Sequence, residues 1–263
     1  MFTREIKSNF KTFLIWLSVL VALFLVVFLI YPSLVNSENI KLMDEYVKMF
    51  PEEVLVAFNM DISSIDTAFG WLKTEGFVFV LLVIACYSGV LGSNILLKEE
   101  SDKTIEYLHS LPVTRRQIVL KKALAGLLYI ILMVLGIGIF NYIGLTLSGD
   151  FDQKQYILLS ITPLFSSIPI YFICMFLSTF MHKTKKTLGF SLGISFASYL
   201  FQMLSSISEE AEFLKYFSAF TLADIRNVIV DVSINPVMII VAVGISIFFF
   251  LLTFIRYQRK ELI

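Results

Sequence analysis

The chain has 263 residues, 57% of them hydrophobic, 15% aromatic and 16% charged, with a mean hydropathy of +0.83 and a formal net charge of zero. Soluble domains carry about 25% charged residues, so this is the composition of a membrane protein. Its two cysteines, Cys86 and Cys174, lie inside apolar runs without paired or metal-ligand spacing; this argues against a disulfide framework or a zinc site and leaves two core thiols.

Crossing a hydrocarbon core of about 30 Å takes roughly 17–25 residues, and six stretches qualify, at about 13–31, 76–97, 123–147, 156–181, 188–206 and 237–255. Ahead of the first, Ile6, Phe10 and Phe13 are spaced i, i+4, i+7 with basic residues between them, the pattern of a helix lying on a membrane surface. The first apolar run is too long for a signal peptide and no small-x-small cleavage site follows it, so it reads as a retained anchor.

An outer loop over 32–75 places Leu42, Met43, Tyr46, Val47 and Phe50 on one helical face. Pro51, Glu52 and Glu53 open a second helix bearing Val54, Leu55 and Phe58. Two helices lying on the bilayer surface account for this, as does a gate over an exit.

The next segment, "KEESDKTIEYLHSLPVTRRQIVLKK" at 98–122, has ten charged residues, yet Ile105, Leu108 and Leu111 recur every third position. Pro112 divides it. Before the proline the pattern predicts a short helix with Glu99, Glu100 and Asp102 at its N-terminal end, where the helix dipole favours acids. After it, Thr114 and Gln117 form a T-x-x-Q capping box that opens a helix running into the third span. A solvated hairpin with Lys121 and Lys122 at the lipid headgroups explains the charges equally well from composition alone.

Pro163 and Pro169 predict a kinked fourth span. The fifth carries Gly189-x-x-x-Gly193-x-x-x-Ala197, a small-residue face suited to packing within the chain or to a seam between two chains. The outer segment 207–236 contains "EEAEFLKYFSAF", with Phe213, Phe217 and Phe220 expected on one face and its acids solvated.

Charge then sets the orientation. One side, holding both termini, 98–122 and "HKTKKT", has 15 basic and 6 acidic residues; the other has 6 and 15. The basic side is read as cytoplasmic. On these boundaries no ionisable residue falls inside a span, whereas ion-coupled transporters and intramembrane metalloproteases need such groups there. Asn94, Asn141 and Gln202 are expected to be satisfied by interhelical hydrogen bonds. No phosphate-binding loop occurs, so any ATP must be bound by a partner.

The 98–122 segment resembles the stretch between the second and third spans of ABC-2 type transporter permeases, where the pattern runs E-E-x-x-x-G-T-[LI]-E-x-L-x-S-x-P-[VI]-[ST]-R. Allowing one residue fewer after the paired acids, Glu99, Glu100, Thr104, Ile105, Glu106, Leu108, Ser110, Pro112, Val113, Thr114 and Arg115 occupy matching positions; Lys103 stands where the family often has Gly. The resemblance covers essentially the whole chain. It implies a coupling helix seated in a separate nucleotide-binding subunit, with Glu100, Thr104, Ile105, Glu106, Leu108, Leu111, Pro112 and Arg115 as coupling residues. It also implies an interfacial N-terminal helix, re-entrant helices between spans five and six, and Gly189, Gly193 and Ala197 at a dimer seam.

The expectation is one all-α membrane domain over 1–263. It has six spans, cytoplasmic termini, a cytoplasmic coupling helix between spans two and three, and outer helices between spans five and six. By the resemblance it is a non-enzymatic permease subunit of a bacterial ABC exporter in the plasma membrane. It would hold no cofactor itself, with ATP and Mg in the partner ATPase. A second permease chain, identical or paralogous, and membrane lipids are the other expected partners, with no nucleic acid. The expected cargo is an amphipathic toxic compound or antimicrobial peptide. A lipid or glycan exporter, or a non-transporting sensor or immunity protein of the same fold, is the alternative.

Overall fold

The structure, a computed structural model, describes residues 1–34, 67–104, 113–207 and 209–260. Most of the outer loop 32–75, with both of its predicted helices, lies outside the described residues, as do Ile105 to Pro112. The described residues form helices and connecting turns, with no strand among them.

Among the described residues, six helical stretches are long and apolar enough to cross a membrane. The first is α1, Phe2–Leu34. The predicted surface helix is therefore the first turns of α1 rather than a separate element. Its stripe does not stay together: Phe13 is buried while Phe10 is exposed.

The second span, α2, runs over Ala68–Ser101 with a π turn at Leu72–Gly76. Thr67 caps it, the hydroxyl accepting from the Gly70 amide at 3.0 Å. It starts at Ala68 rather than near 76, so Lys73 and Glu75 belong to the helix and not to the loop. The third, α3, is Arg115–Ser148 and opens on the predicted capping box. The Thr114 hydroxyl accepts from Gln117 N at 3.3 Å, and Gln117 Oε1 accepts from Thr114 N at 3.2 Å.

The fourth span is broken in two. Helix α4, Gln153–Ile161, is capped by Asp152, and α5, Pro163–Ser178, follows with Pro163 in its first turn. The interruption falls at Thr162, because a proline has no amide to continue the ladder but suits the start of a new helix. Pro169 sits within α5.

The fifth span is α6, Thr184–Ile207. Two 3₁₀ segments, Glu209–Phe217 and Phe220–Ala223, and a short α7, Ile225–Asp231, then lead to α8, Pro236–Arg259. The break at Ser218 and Ala219 between the two 3₁₀ segments takes Phe220 off the expected phenylalanine face. Phe220 is buried, whereas Phe213 and Phe217 are exposed.

Helix α2 is the centre of the bundle, with α3, α5 and α6 around it. It approaches the α5 backbone closely. A Cβ at Gly92 would lie 2.3 Å from the Tyr171 carbonyl oxygen, and one at Gly126 of α3 would lie 2.2 Å from the Tyr171 hydroxyl. Helices α1 and α8 pack on the outside, α1 against α3 through Phe13–Tyr129 at 5.2 Å and α8 against α5 through Phe172–Phe250 at 5.6 Å. Their outer faces are apolar and open, with Leu29 and Ile240 among the most exposed side chains. Water does not tolerate such a surface, and lipid does.

Of the polar residues expected to be satisfied between helices, Asn94 accepts from the Thr187 hydroxyl at 3.2 Å and Gln202 accepts from Thr221. Asn141 differs: its buried Oδ1 has no hydrogen-bond partner. Gly92→Ala is expected to cost about 3 kcal/mol, the upper end of ordinary overpacking, because the obstructing atom is backbone. Gly189→Ala, whose Cβ would meet nothing within 4 Å, is expected to be neutral or slightly stabilising. Thermal unfolding of the two purified variants in detergent checks the contrast.

Candidate functional site

The last turn of α2 reads Lys98-Glu99-Glu100. Successive helical residues point about 100° apart, so the two acids face different neighbours, and both are buried. Glu99 faces α3, where the fully buried Lys122 ammonium lies 2.8 Å from each of its oxygens and 2.6 Å from the Ile95 carbonyl. The same ammonium is 3.1 Å from Glu5 Oε1 of α1, and Glu5 Oε2 accepts from Lys98 at 2.6 Å. Two carboxylates and two ammonium groups thus join three helices in a neutral cluster. The Tyr129 hydroxyl adds a bond from α3 to the Ile6 carbonyl of α1.

Glu100 faces the other way. Its Oε2 accepts from Lys260 at 2.7 Å, just past the end of α8, and its Oε1 contacts His182 Nδ1 in the link between α5 and α6. Lys260 also donates to the Met181 carbonyl at 2.6 Å. Arg115, at the start of α3, donates to the carbonyls of Lys260 at 2.9 Å and Gln258 at 3.2 Å. Ser101 and Thr184 hydroxyls meet at 3.1 Å. The segments near both termini therefore converge on the end of α2, at the end of the bundle that carries the 98–122 segment.

This corrects two expectations. Glu99 and Glu100 do not sit at the N-terminal end of a helix; they are in the last turn of α2, and buried cations rather than a helix dipole stabilise them. Lys122 is no headgroup anchor either, being enclosed between two carboxylates. Buried charges persist only when paired, and the predicted spans simply stopped at the first charged residue.

Helix α2 ends in a Schellman turn: Thr104 N donates to the Glu99 carbonyl at 2.8 Å and Lys103 N to the Glu100 carbonyl at 3.3 Å. Lys103 takes the left-handed conformation this turn requires, at φ 55°. That is the position where the resembled pattern has Gly. Of the other predicted coupling residues, Glu100 and Arg115 are in the cluster and Thr104 is exposed just beyond it. Ile105, Glu106, Leu108, Leu111 and Pro112 lie outside the described residues.

Gly189 and Gly193 are on the open face of α6, with nothing within 4 Å of an added Cβ. The face that α6 presents to the bundle is instead Thr187, Ser191, Ser195 and Ser198, all buried, with the Ser195 hydroxyl donating to the Ala85 carbonyl at 3.2 Å. Ala197 lines a cavity of about 760 Å³ between α6 and α8, floored by Ile170 and Ile173 of α5 and closed at one end by Phe217 and Leu222. At the end of the bundle away from the charge cluster, Tyr199, Gln202, Thr221, Asp224 and Asn227 line a more polar pocket of about 460 Å³. Among the described residues no group of His, Cys, Asp and Glu could hold a metal ion.

Sequence reading missed the cluster formed by Glu5, Lys98, Glu99, Lys122, His182 and Lys260. One signal for it was available: Ile118, Lys122, Ala125 and Tyr129 recur at i, i+4, i+7, i+11, and all four are buried. That periodicity puts Lys122 on the core face of α3.

Fold and site together define a six-span helical membrane protein in which the segment joining the second and third spans is rooted in buried ion pairs. The chain belongs to the ABC-2 transporter family: the family described as "ABC-2 family transporter protein" matches residues 5–262. No curated protein and no solved structure matches it. Membership makes it a permease, the membrane component of an ABC transporter, and implies association with ABC ATPase subunits.

Two outcomes follow from the cluster. Lys122→Met strands the buried Glu99, leaves Glu5 with Lys98 alone and is expected to cost about 3–5 kcal/mol, while Lys121→Met, one residue away and partly exposed, is expected to cost little; recovery of folded protein and its Tm in detergent compare them. Lys103→Gly is expected to raise Tm slightly. It relieves roughly 1–2 kcal/mol of left-handed strain against roughly 0.4–1 kcal/mol of added chain entropy in the unfolded state.

Proposed function

We propose that this permease couples ATP hydrolysis in a separate ABC ATPase subunit to outward transport of an amphipathic substrate. The segment 98–122 serves as the coupling element, on the cytoplasmic side with both termini. The observation that carries this reading is the root of that segment: its two stems, at the end of α2 and the start of α3, are tied by buried charges to α1, α8 and each other. A segment that only needed to stay solvated has no use for such anchoring. A segment that receives force does.

Three further features support the reading. The sequence places 15 of the 21 basic residues on the same side as this segment, the bias of a cytoplasmic face. Ile105, Leu108 and Leu111 supply a narrow apolar stripe of the kind that buries at the core of an interface, while the charged residues around it fix register. The open Gly189–Gly193 face of α6 is suited to close approach by a second permease chain.

For cargo, the apolar cavity between α6 and α8, lined by Phe201, Phe217, Val241 and Phe249, favours an amphipathic compound such as a toxic or antimicrobial peptide. The same lining suits a lipid, which is the alternative cargo.

The test is a tagged pull-down from native membranes in mild detergent, with mass spectrometry of what co-purifies. An ABC ATPase is expected with the wild-type chain and is expected to be lost with Ile105→Asp, while the variant still inserts and folds because the residue lies between spans. If no nucleotide-binding subunit co-purifies with the wild-type chain, or if Ile105→Asp retains it in full, the coupling assignment fails.

A further inference from the structure

Within residues 1–12, the first turns of α1, Glu5 is the one buried side chain. Its neighbours along this stretch, including Arg4, Lys7, Phe10 and Lys11, are exposed. An apolar contact would let this end of the helix slide over the bundle; a buried carboxylate does not. The carboxylate is also divided between two elements. Oε2 is 2.6 Å from Lys98 on the α2 stem, and Oε1 is 3.1 Å from Lys122 on the α3 stem, where it accepts no hydrogen bond. Ser8, one turn on, accepts from Lys98 at 3.2 Å. The carboxylate is thus a bridge across both stems of the 105–112 segment.

We propose that Glu5 is a positioning residue of the coupling step: its ion pairs to Lys98 and Lys122 yoke the N-terminal turns of α1 to both stems, so that displacement of the stems carries α1 with it. The inference rests on the coupling reading above. Moving the two stems together away from α1 strands the buried Glu5 carboxylate, so α1 follows rather than separates. The arrangement is asymmetric. Lys122 keeps Glu99 and the Ile95 carbonyl if Glu5 is removed, so the two stems stay joined while α1 loses its ion pairs and keeps the Tyr129–Ile6 bond and the Phe13–Tyr129 contact to α3.

That asymmetry supplies the variant, E5Q/K98Q. It removes one charge of each sign, leaves Lys122 and Glu99 paired, and places the second glutamine at a position with access to solvent, since the Lys98 side chain is 20% exposed. The permease is purified with the ABC ATPase that co-purifies with it and placed in nanodiscs. Spin labels are introduced in pairs at the exposed positions Lys7 of α1, Asp102 beyond the α2 stem and Leu188 of α6. Labelled chain is diluted with unlabelled chain so that distances are read within one protomer. Pulsed electron–electron resonance then compares nucleotide-free complex with complex holding ATP in the absence of Mg.

In the wild type, the Asp102–Leu188 and Lys7–Leu188 distances are expected to shift together on ATP binding, with Lys7–Asp102 unchanged. In E5Q/K98Q the Asp102–Leu188 shift is expected to persist and the Lys7–Leu188 shift to be lost. Glu5→Asp, which keeps the charge but withdraws it from both ammonium groups, is the second variant and is expected to reduce the Lys7–Leu188 shift. Wild-type shifts at all three pairs in both variants would overturn the yoke while leaving the coupling reading intact. Absence of an Asp102–Leu188 shift in the wild-type complex would overturn the coupling reading, and the yoke with it.

Discussion

Two adjacent carboxylates buried in the last turn of one helix are the constraint on which this end of the structure depends. Glu99 and Glu100 cannot share a partner, because the helix points them in different directions, so each must be met by a cation from elsewhere in the chain. Lys122 comes from α3, and Lys260 from beyond α8. The pairs are 23 and 160 residues apart in sequence. Pairing over such separations fixes where the spans begin and end relative to one another. Removing charges from water offsets much of what their attraction gains, so the cluster contributes more to registering the helices than to net stability.

The same pairing sorts the charges at this end. Glu5, Glu99 and Glu100 are buried, and Asp102 is the exposed acid among the described residues there. Lys7, Lys11, Arg116, Lys183 and Arg259 remain at the surface. The buried pairs cancel, so the surface keeps the basic excess counted along the sequence while carrying fewer acids among its cations. An anionic leaflet or an acidic partner surface meets cations whose nearby acids have been withdrawn into the bundle.

The six spans were legible because hydropathy is a property of each segment alone. So was the capping box at Thr114 and Gln117, whose partners are three residues apart. The ends of the spans were not legible in the same way. A span defined by the absence of charge stops where charge begins, yet α2 and α3 continue through Lys98 to Glu100 and from Arg115 to Lys122 because these charges are paired inside the fold. Lys122 itself could be placed on the core face from its period; Glu5 and Lys260 could not be assigned to their partners, since nothing local distinguishes them from the basic and acidic residues beside them. On α6 the conspicuous Gly189–Gly193 pattern proved to be the open face. The packed face is the less conspicuous row of hydroxyls, which satisfy themselves on their own helix, as Ser191 does on the Thr187 carbonyl at 2.8 Å.

The central helix links the two ends of the molecule. At 34 residues and about 1.5 Å per residue, α2 is longer than the hydrocarbon core it crosses. On one side it is locked to α5, where Gly92 admits the Tyr171 backbone closer than any side chain would allow. On another it meets α6 through small hydroxyl residues, with the Ser195–Ala85 bond and the Asn94–Thr187 and Ser101–Thr184 pairs as polar contacts. Its far end supplies Val78 and Leu81 to the polar pocket beside Tyr199 and Gln202 of α6. The Gly92–Tyr171 contact leaves α2 no room to slide along α5, whereas the α6 interface is lined by small hydroxyl side chains that do not interlock with it. The pocket walled by α2 and α6 lies at the opposite end of that looser interface from the ion-paired turn.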